Sequence, residues 1–372
     1  MRLREEYNME LRREQYTIER LKRALIALAL AFALTFPGLP GMCAGAESPE
    51  NQDPEAVGQH PVSSVAFLRE WIEESNRMEE EMERQGYHAV PKQLYLSFTE
   101  DAEPYAPAET VAAGDGGIRA TVVMRVEERD SDESSAFAMT AVLLVNGKPV
   151  DFRMDGNGSE GGVLTASLDS NRDYVMVLSA EDLPLTAGEN KLLLIVFGYR
   201  ADQDFYLDPC YTKASFQSET QNGGAAVAPC PEEEISAEAI RDRSKLGPYM
   251  QQSFLSESDM TDFQSDHYGN YLMTSKPDPT MHFYLDNMSV PGMLDNSKGI
   301  MFLFVDGELK PVWNGNRFGA MSVREGDLLR VITVESGFGT GEQPHVYWCY
   351  QETEGAEEWP YCMRYRMKMK IE

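Results

Sequence analysis

VLLVNGKPVDF, residues 142–152, returns in altered form as FLFVDGELKPV at residues 302–312. In each phrase an alternating apolar run meets Asn-Gly or Asp-Gly, and a second extended run follows. Such a pair can occupy the positive-φ positions of a tight hairpin turn. Gly147 and Gly307 then serve two turns, and the residues around them build two cores. The recurrence predicts one β fold written twice in the same chain.

The repeat extends outward. ATVVMRV at 120–126 has a counterpart in MHFYLDN at 281–287. Asp155-Gly156-Asn157 is matched by Asn314-Gly315-Asn316, and LTAGENKLLLIV is echoed by VREGDLLRVIT. The second copy shows no equivalent of LDSNRDYVMVLSAEDLP, which suggests a shorter variant. Around these anchors the period is two. YLSF, IRATVVMRVE, FAMTAVLLVNG, KPVDFRM, GVLTASL, DYVMVLS and KLLLIVFGY lie in the first half. HFYLDN, GIMFLFVDG, LKPVW, DLLRVITVE, HVYWCYQ and YCMRYRMKMKI lie in the second. Short strands at this spacing argue for β-sandwiches.

The expected organisation is a signal peptide or anchor at 1–46, a tether and helix at 47–89 and a first sandwich at 90–216. A connector at 217–264 and a second sandwich at 265–372 follow. The helix has Ser63 or Ser64 as its cap and Val65, Leu68, Trp71, Ile72 and Met78 at helical spacing, with Gly86 as its stop. Its later half, EESNRMEEEMERQ, reads as a solvated face.

Arg20, Lys22 and Arg23 precede the apolar run Ala24–Phe36, whose 13 residues suit a signal-peptide core and fall short of a membrane span. Ala44-Gly45-Ala46 supplies a cleavage pattern, so a mature chain starting at Glu47 is expected; an uncleaved anchor is the alternative. Met42 and Pro40 make Cys43 a poor match to a lipidation site. The whole chain carries a formal charge of −28, and residues from Glu47 onward carry −30. Such a surface disfavours nucleic acid and anionic lipid.

The export signal and the GENKLLLIV element, an acidic Gly turn leading into an alternating strand, carry an architectural resemblance. The chain resembles exported proteins of Gram-positive bacteria that bear tandem immunoglobulin-like β-sandwiches. The expected location is extracellular or cell-surface, and the expected partner is a cell-envelope protein or glycan. The resemblance implies an extracellular or envelope-associated role in binding or adhesion. It names no ligand.

Chemistry leaves fewer marks. The four cysteines beyond residue 46 are Cys210, Cys230, Cys349 and Cys362. Proximity favours Cys210–Cys230 and Cys349–Cys362, although sequence does not choose among the three connectivities. A hairpin centred between Gly355 and Ala356 would set Cys349 opposite Cys362. DGNGSEGG at 155–162 begins like a calcium loop, but Glu160 stands where glycine is needed and Ala166 where the bidentate Glu should be. No zincin histidine pair, nucleophile elbow, phosphate loop or dinucleotide fingerprint occurs, so neither catalytic residue, metal nor cofactor is predicted. An exported hydrolase using a carboxylate pair stays open as a lesser reading. Trp313, Trp348, Trp359 and Tyr361 cluster in the second half as candidate ligand-binding aromatics, which makes carbohydrate binding the main alternative. Alternation in YWCY sends Trp348 and Tyr350 to one face and Tyr347 and Cys349 to the other; one face is expected in the core.

Overall fold

Helix α1 (Ala66–Arg84) leads into strands β1 (Lys92–Thr99), β2 (Ala112–Gly114), β3 (Gly117–Glu128), β4 (Ala136–Val145), β5 (Lys148–Val150) and β6 (Arg153–Met154). Next come β7 (Asn157–Gly158), β8 (Val163–Asp169), β9 (Asp173–Glu181), β10 (Gly188–Arg200), β11 (Phe205–Tyr206) and β12 (Cys210–Ser218). The second half holds β13 (Glu232–Ile235), β14 (Gln252–Ser256), β15 (Phe263–Ser265), β16 (Tyr271–Ser275), β17 (Thr280–Asp286) and β18 (Ser297–Val305). It ends with β19 (Glu308–Leu309), β20 (Gly319–Val323), β21 (Leu329–Glu335), β22 (His345–Glu354) and β23 (Cys362–Ile371). This computed structural model describes residues 65–85, 92–114, 117–128, 135–201, 205–224, 227, 229–230, 232–235, 252–256, 263–265, 271–275, 277–278, 280–286, 297–311, 313, 315–323, 329–354 and 362–372. The expected signal peptide and tether lie outside them, as do Trp359 and Tyr361.

The strands form four sheets. Sheet I runs β1-β3-β9-β6-β7, with β2 on β3, and sheet II runs β11-β10-β4-β5, with β12 on β10 and β8 on β4. Sheet III runs β15-β16-β23-β22-β18-β19, with β20 on β18, and sheet IV runs β13-β21-β17-β14. The two pairs share a common set of strands, with β2 and β11 added in the first and β15 and β16 in the second. In the first, β4 is flanked by β5, β8 and β10, and β10 by β12; in the second, β18 is flanked by β19, β20 and β22, and β22 by β23. Likewise β1-β3-β9 in sheet I corresponds to β14-β17-β21 in sheet IV. This division of antiparallel strands between two sheets is immunoglobulin-like.

The correspondence corrects the repeat as read from sequence. LLRVITVE is β21, which stands where DYVMVLS stands in the first copy. The counterpart of KLLLIV is HVYWCYQ in β22. An Ig-like sandwich separates these strands by sheet, and two alternating apolar runs of similar length cannot be told apart by period. The second copy therefore does contain the element that appeared missing. The stretch 217–264, expected as connector, also contributes: β13 pairs with β21 and β14 with β17. CYTKASFQS, not anticipated as a strand, is β12 at the edge of sheet II.

Leu96, Phe98, Val122 and Leu178 of sheet I pack against Leu143, Val145, Leu192 and Leu194 of sheet II. The opposite face of sheet II is also buried. Val142, Leu144, Leu193 and Ile195 join Phe302, Phe304, Tyr347 and Cys349 of sheet III in a second core. That explains why VLLV in β4 and LLIVFGY in β10 are near-continuous apolar runs: a strand covered on both faces has no polar side.

Helix α1 lies on the other face of sheet I. Val65, Leu68 and Ile72 bury themselves against Tyr95 and Val123. The expected serine cap is not the one found. Val65 is the cap residue, and its N–H donates to Asp173 Oδ2 at 2.8 Å, an acceptor supplied by β9. Trp71 and Met78, expected among the apolar contacts, are 47% and 41% exposed.

Candidate interaction surface

The repeated phrase builds the joint between the two sandwiches. Asn146 and Gly147 have φ of 50° and 73°; Asp306 and Gly307 have 51° and 81°. Both are thus two-residue turns with positive φ throughout. Each turn is tied to the next strand in the same way. Asn146 N–H donates to the Lys191 carbonyl and its Oδ1 accepts from Lys191 N–H, both at 2.9 Å. Asp306 N–H donates to the His345 carbonyl at 3.0 Å, and its Oδ1 accepts from His345 N–H at 2.8 Å.

Between the turns lies an aromatic layer. Phe197 of β10 packs on Phe302 and Phe304, with ring centroids 5.3 and 4.6 Å away. Tyr206 stacks on Tyr347 at 5.0 Å, donates its hydroxyl to the His345 carbonyl at 3.1 Å and accepts from Gly307 N–H at 2.7 Å. At the rim Arg366 pairs with Asp208 and lies over the Phe205 ring at 5.5 Å, and Arg317 Nη1 donates to the Glu160 carbonyl at 2.6 Å. Apolar packing closes the joint, and these directional contacts set its register.

Two of the aromatic candidates, Trp313 and Trp348, are placed differently from the expectation. Trp348 and Trp313 are fully buried, as are Tyr347 and Tyr350. Both faces of β22 are thus interior, and neither tryptophan presents a surface for a sugar. The repeat explains the placement. Trp348 occupies the position of Leu194, and Trp313, at the hairpin bridge Trp313↔Asn316, that of Met154, at the bridge Met154↔Asn157. Leu194 and Met154 are themselves core residues.

The cysteine expectations also change. Cys210, Cys230 and Cys349 carry thiols, and no disulfide forms among the described residues. Cys349 lies opposite Arg364, while Cys362 lies opposite Gln351, a register two residues away from the expected one. Cys210 starts β12 against the first core, whereas Cys230 Sγ sits directly over Gly319 of β20. The sequence-adjacent pair is therefore divided between different packing sites. Burial pushes the Cys210 thiol up to about 12.

The buried carboxylates are occupied structurally. Asp173 Oδ1 accepts from Arg125 Nη1 at 3.0 Å while its other oxygen holds the helix. Arg125 also binds Glu127 at 2.6 Å; burial opposes its charge, but these two carboxylates raise its pKa overall. Glu128 accepts from Arg200 and from the Ser170 hydroxyl at 2.8 Å. These groups hold strands and helix together. Among the described residues no group of three or more His, Cys, Asp or Glu is arranged to hold a metal ion. Among them, too, no helix is long and apolar enough to cross a membrane.

Sequence missed the joint because each contact crosses about 100–200 residues. What remains as a candidate surface is α1. Trp71 and Met78, seven residues apart, share one side of the helix beside its buried stripe and are the large apolar side chains exposed to solvent among the described residues.

No family model and no curated protein matches the chain. Solved structures give distant likenesses. The chain is similar to the YadV chaperone at 9% identity, covering 74% of this chain and 99% of that one, with a TM-score of 0.21. It is similar to the C-terminal domain of the Streptococcus pyogenes antigen I/II-family protein AspA at 8% identity, covering 75% and 100%, with a TM-score of 0.18. Red sea bream transglutaminase shows 9% identity and a TM-score of 0.18 over 80% of this chain, which spans 34% of that enzyme. At these scores the likenesses assign neither a family nor a role.

Proposed function

We propose that this chain is an exported, non-catalytic binding protein that engages a protein of the cell envelope. The observation that carries the reading is the exposure of Trp71 and Met78 on a helix already anchored to sheet I by Leu68 and Ile72. Large apolar side chains on a rigid support contribute strongly when buried by a partner. The net charge of −28 favours a partner with a basic surface over nucleic acid or anionic lipid. Export rests on the N-terminal apolar run and its cleavage pattern.

The test is retention of envelope proteins on immobilised chain beginning at Glu47, compared with a Trp71→Ser/Met78→Ser variant of unchanged circular dichroism. The expected result is a partner held by the first and lost by the second. Equal retention by both would remove α1 as the binding element. N-terminal sequencing of the exported protein is expected to begin at Glu47, and an intact N-terminus would show an anchor instead.

A further inference from the structure

The contacts across the joint come in reciprocal pairs. Register makes Val145↔Leu192 equivalent to Val305↔Val346, and Tyr199 and Thr353 each lie seven residues further along their strands. The turn glycine of the first sandwich, Gly147, sits against Thr353 of the second, where a Cβ would lie 3.1 Å from Thr353 Oγ1. The equivalent glycine of the second, Gly307, sits against Tyr199 of the first. Residue and partner thus exchange roles between the copies. The shared core repeats this: the cross-strand pair Val142↔Ile195 corresponds to Phe302↔Cys349, and Leu144↔Leu193 to Phe304↔Tyr347, and all eight residues belong to it. Near the centre, Gly162 meets Phe318 and Glu160 holds Arg317, so equivalent segments touch one another.

A contact set in which i meets j and the image of i meets the image of j is isologous, the signature of a two-fold axis. We infer that the chain is a fused pseudo-dimer: sheets II and III are two copies of one self-recognition surface, paired about an internal dyad. The partner each face accepts is the other copy of the same fold. The connection between Ser218 and Glu232 supplies that copy in cis, and the equivalent copy from a second chain fits the same face.

The full chain with a protease site inserted between the exposed residues Thr220 and Gln221 tests this. After cleavage of unlabelled and isotopically heavy preparations, native mass spectrometry is expected to find the halves still paired. On mixing, heavy–light hybrids should form. Separation of the halves on cleavage, or pairing without any exchange under conditions where the halves reversibly dissociate, would overturn the inference. Isology adds a second requirement. Leu144→Glu and Phe304→Glu occupy image positions, so each should weaken pairing by about tenfold or more, which corresponds to roughly 1.4 kcal/mol. If either fails to fold, Leu144→Ala and Phe304→Ala are compared. Arg119→Ser, at an exposed position of sheet I, is expected to leave pairing unchanged. Weakening by one image substitution with none by the other would refute the dyad.

Discussion

Asn146 and Asp306 stand at equivalent turns but carry different chemistry. Both accept a backbone N–H through Oδ1, but only Asn146 also donates, through Nδ2 to the Pro184 carbonyl at 3.0 Å and to Asn190 Oδ1 at 2.8 Å. Asn146→Asp removes both donations and is expected to cost about 1–3 kcal/mol in urea denaturation. Asp306→Asn keeps its acceptor and is expected to stay within about 0.5 kcal/mol of wild type. Gly307→Ala meets two penalties, a φ of 81° and the Tyr199 ring, and should cost about 2–4 kcal/mol. Trp348→Ala is expected to lose about 3–5 kcal/mol of stability, read by the same denaturation. Loss of sugar binding with unchanged stability would contradict that placement. The turn glycines were legible in the phrase itself because positive φ is a local demand. The fate of Trp348 was not, since alternation gives two faces and does not say that both are covered.

Helix α1 is held by apolar packing in its first half and by polar contacts to β1 further along. Its first turns bury Val65, Leu68 and Ile72, whereas the second half contributes Glu79, whose Oε1 accepts from Gln93 Nε2. The N-terminal acceptor comes from Asp173, a residue 108 positions away. Asp173→Ala removes the acceptor of Val65 N–H and leaves Arg125 with Glu127 alone. Faster amide exchange across 66–84, with β3 and β9 protected as before, is the expected outcome. Uniform acceleration would mean that helix and sheet open together. The helix was legible as an element, because its apolar spacing is local. Its cap was not, because the acceptor belongs to a strand that only the fold brings near.

Across the whole molecule sheet II serves two cores, so its loss should disrupt both. Phe197→Ala is expected to lower the stability of both sandwiches within one cooperative transition, followed by tryptophan fluorescence and far-ultraviolet circular dichroism. Two separated transitions in the wild type would argue against this coupling. Alkali should act through the same burial. Cys210 and Tyr95 titrate near 9.0 and 10.0 when unfolded, and burial pushes each up to about 12 in the fold. Between those values the unfolded chain binds fewer protons, so stability falls as pH rises from about 9 to about 12. Cys210→Ala is expected to flatten the onset of that fall. A thiol reagent at pH 8 should find the buried Cys230 and Cys349 unreactive until the chain is unfolded, with the half-buried Cys210 reacting before them.

The sequence by itself determined what is local: the period-two strands, the Asx-Gly turns, the helix beside them, and the fact that the fold occurs twice. Those features are short-range preferences of backbone and side chain, so a phrase of eleven residues expresses them. Tertiary structure decided which strand of one copy matches which of the other. It also put Trp313, Tyr347, Trp348 and Tyr350 inside, kept Cys349 away from Cys362 in register, and brought the two phrases into one core across the joint. These outcomes depend on which face meets which, and a sheet covered on both sides carries no polar stripe to announce it.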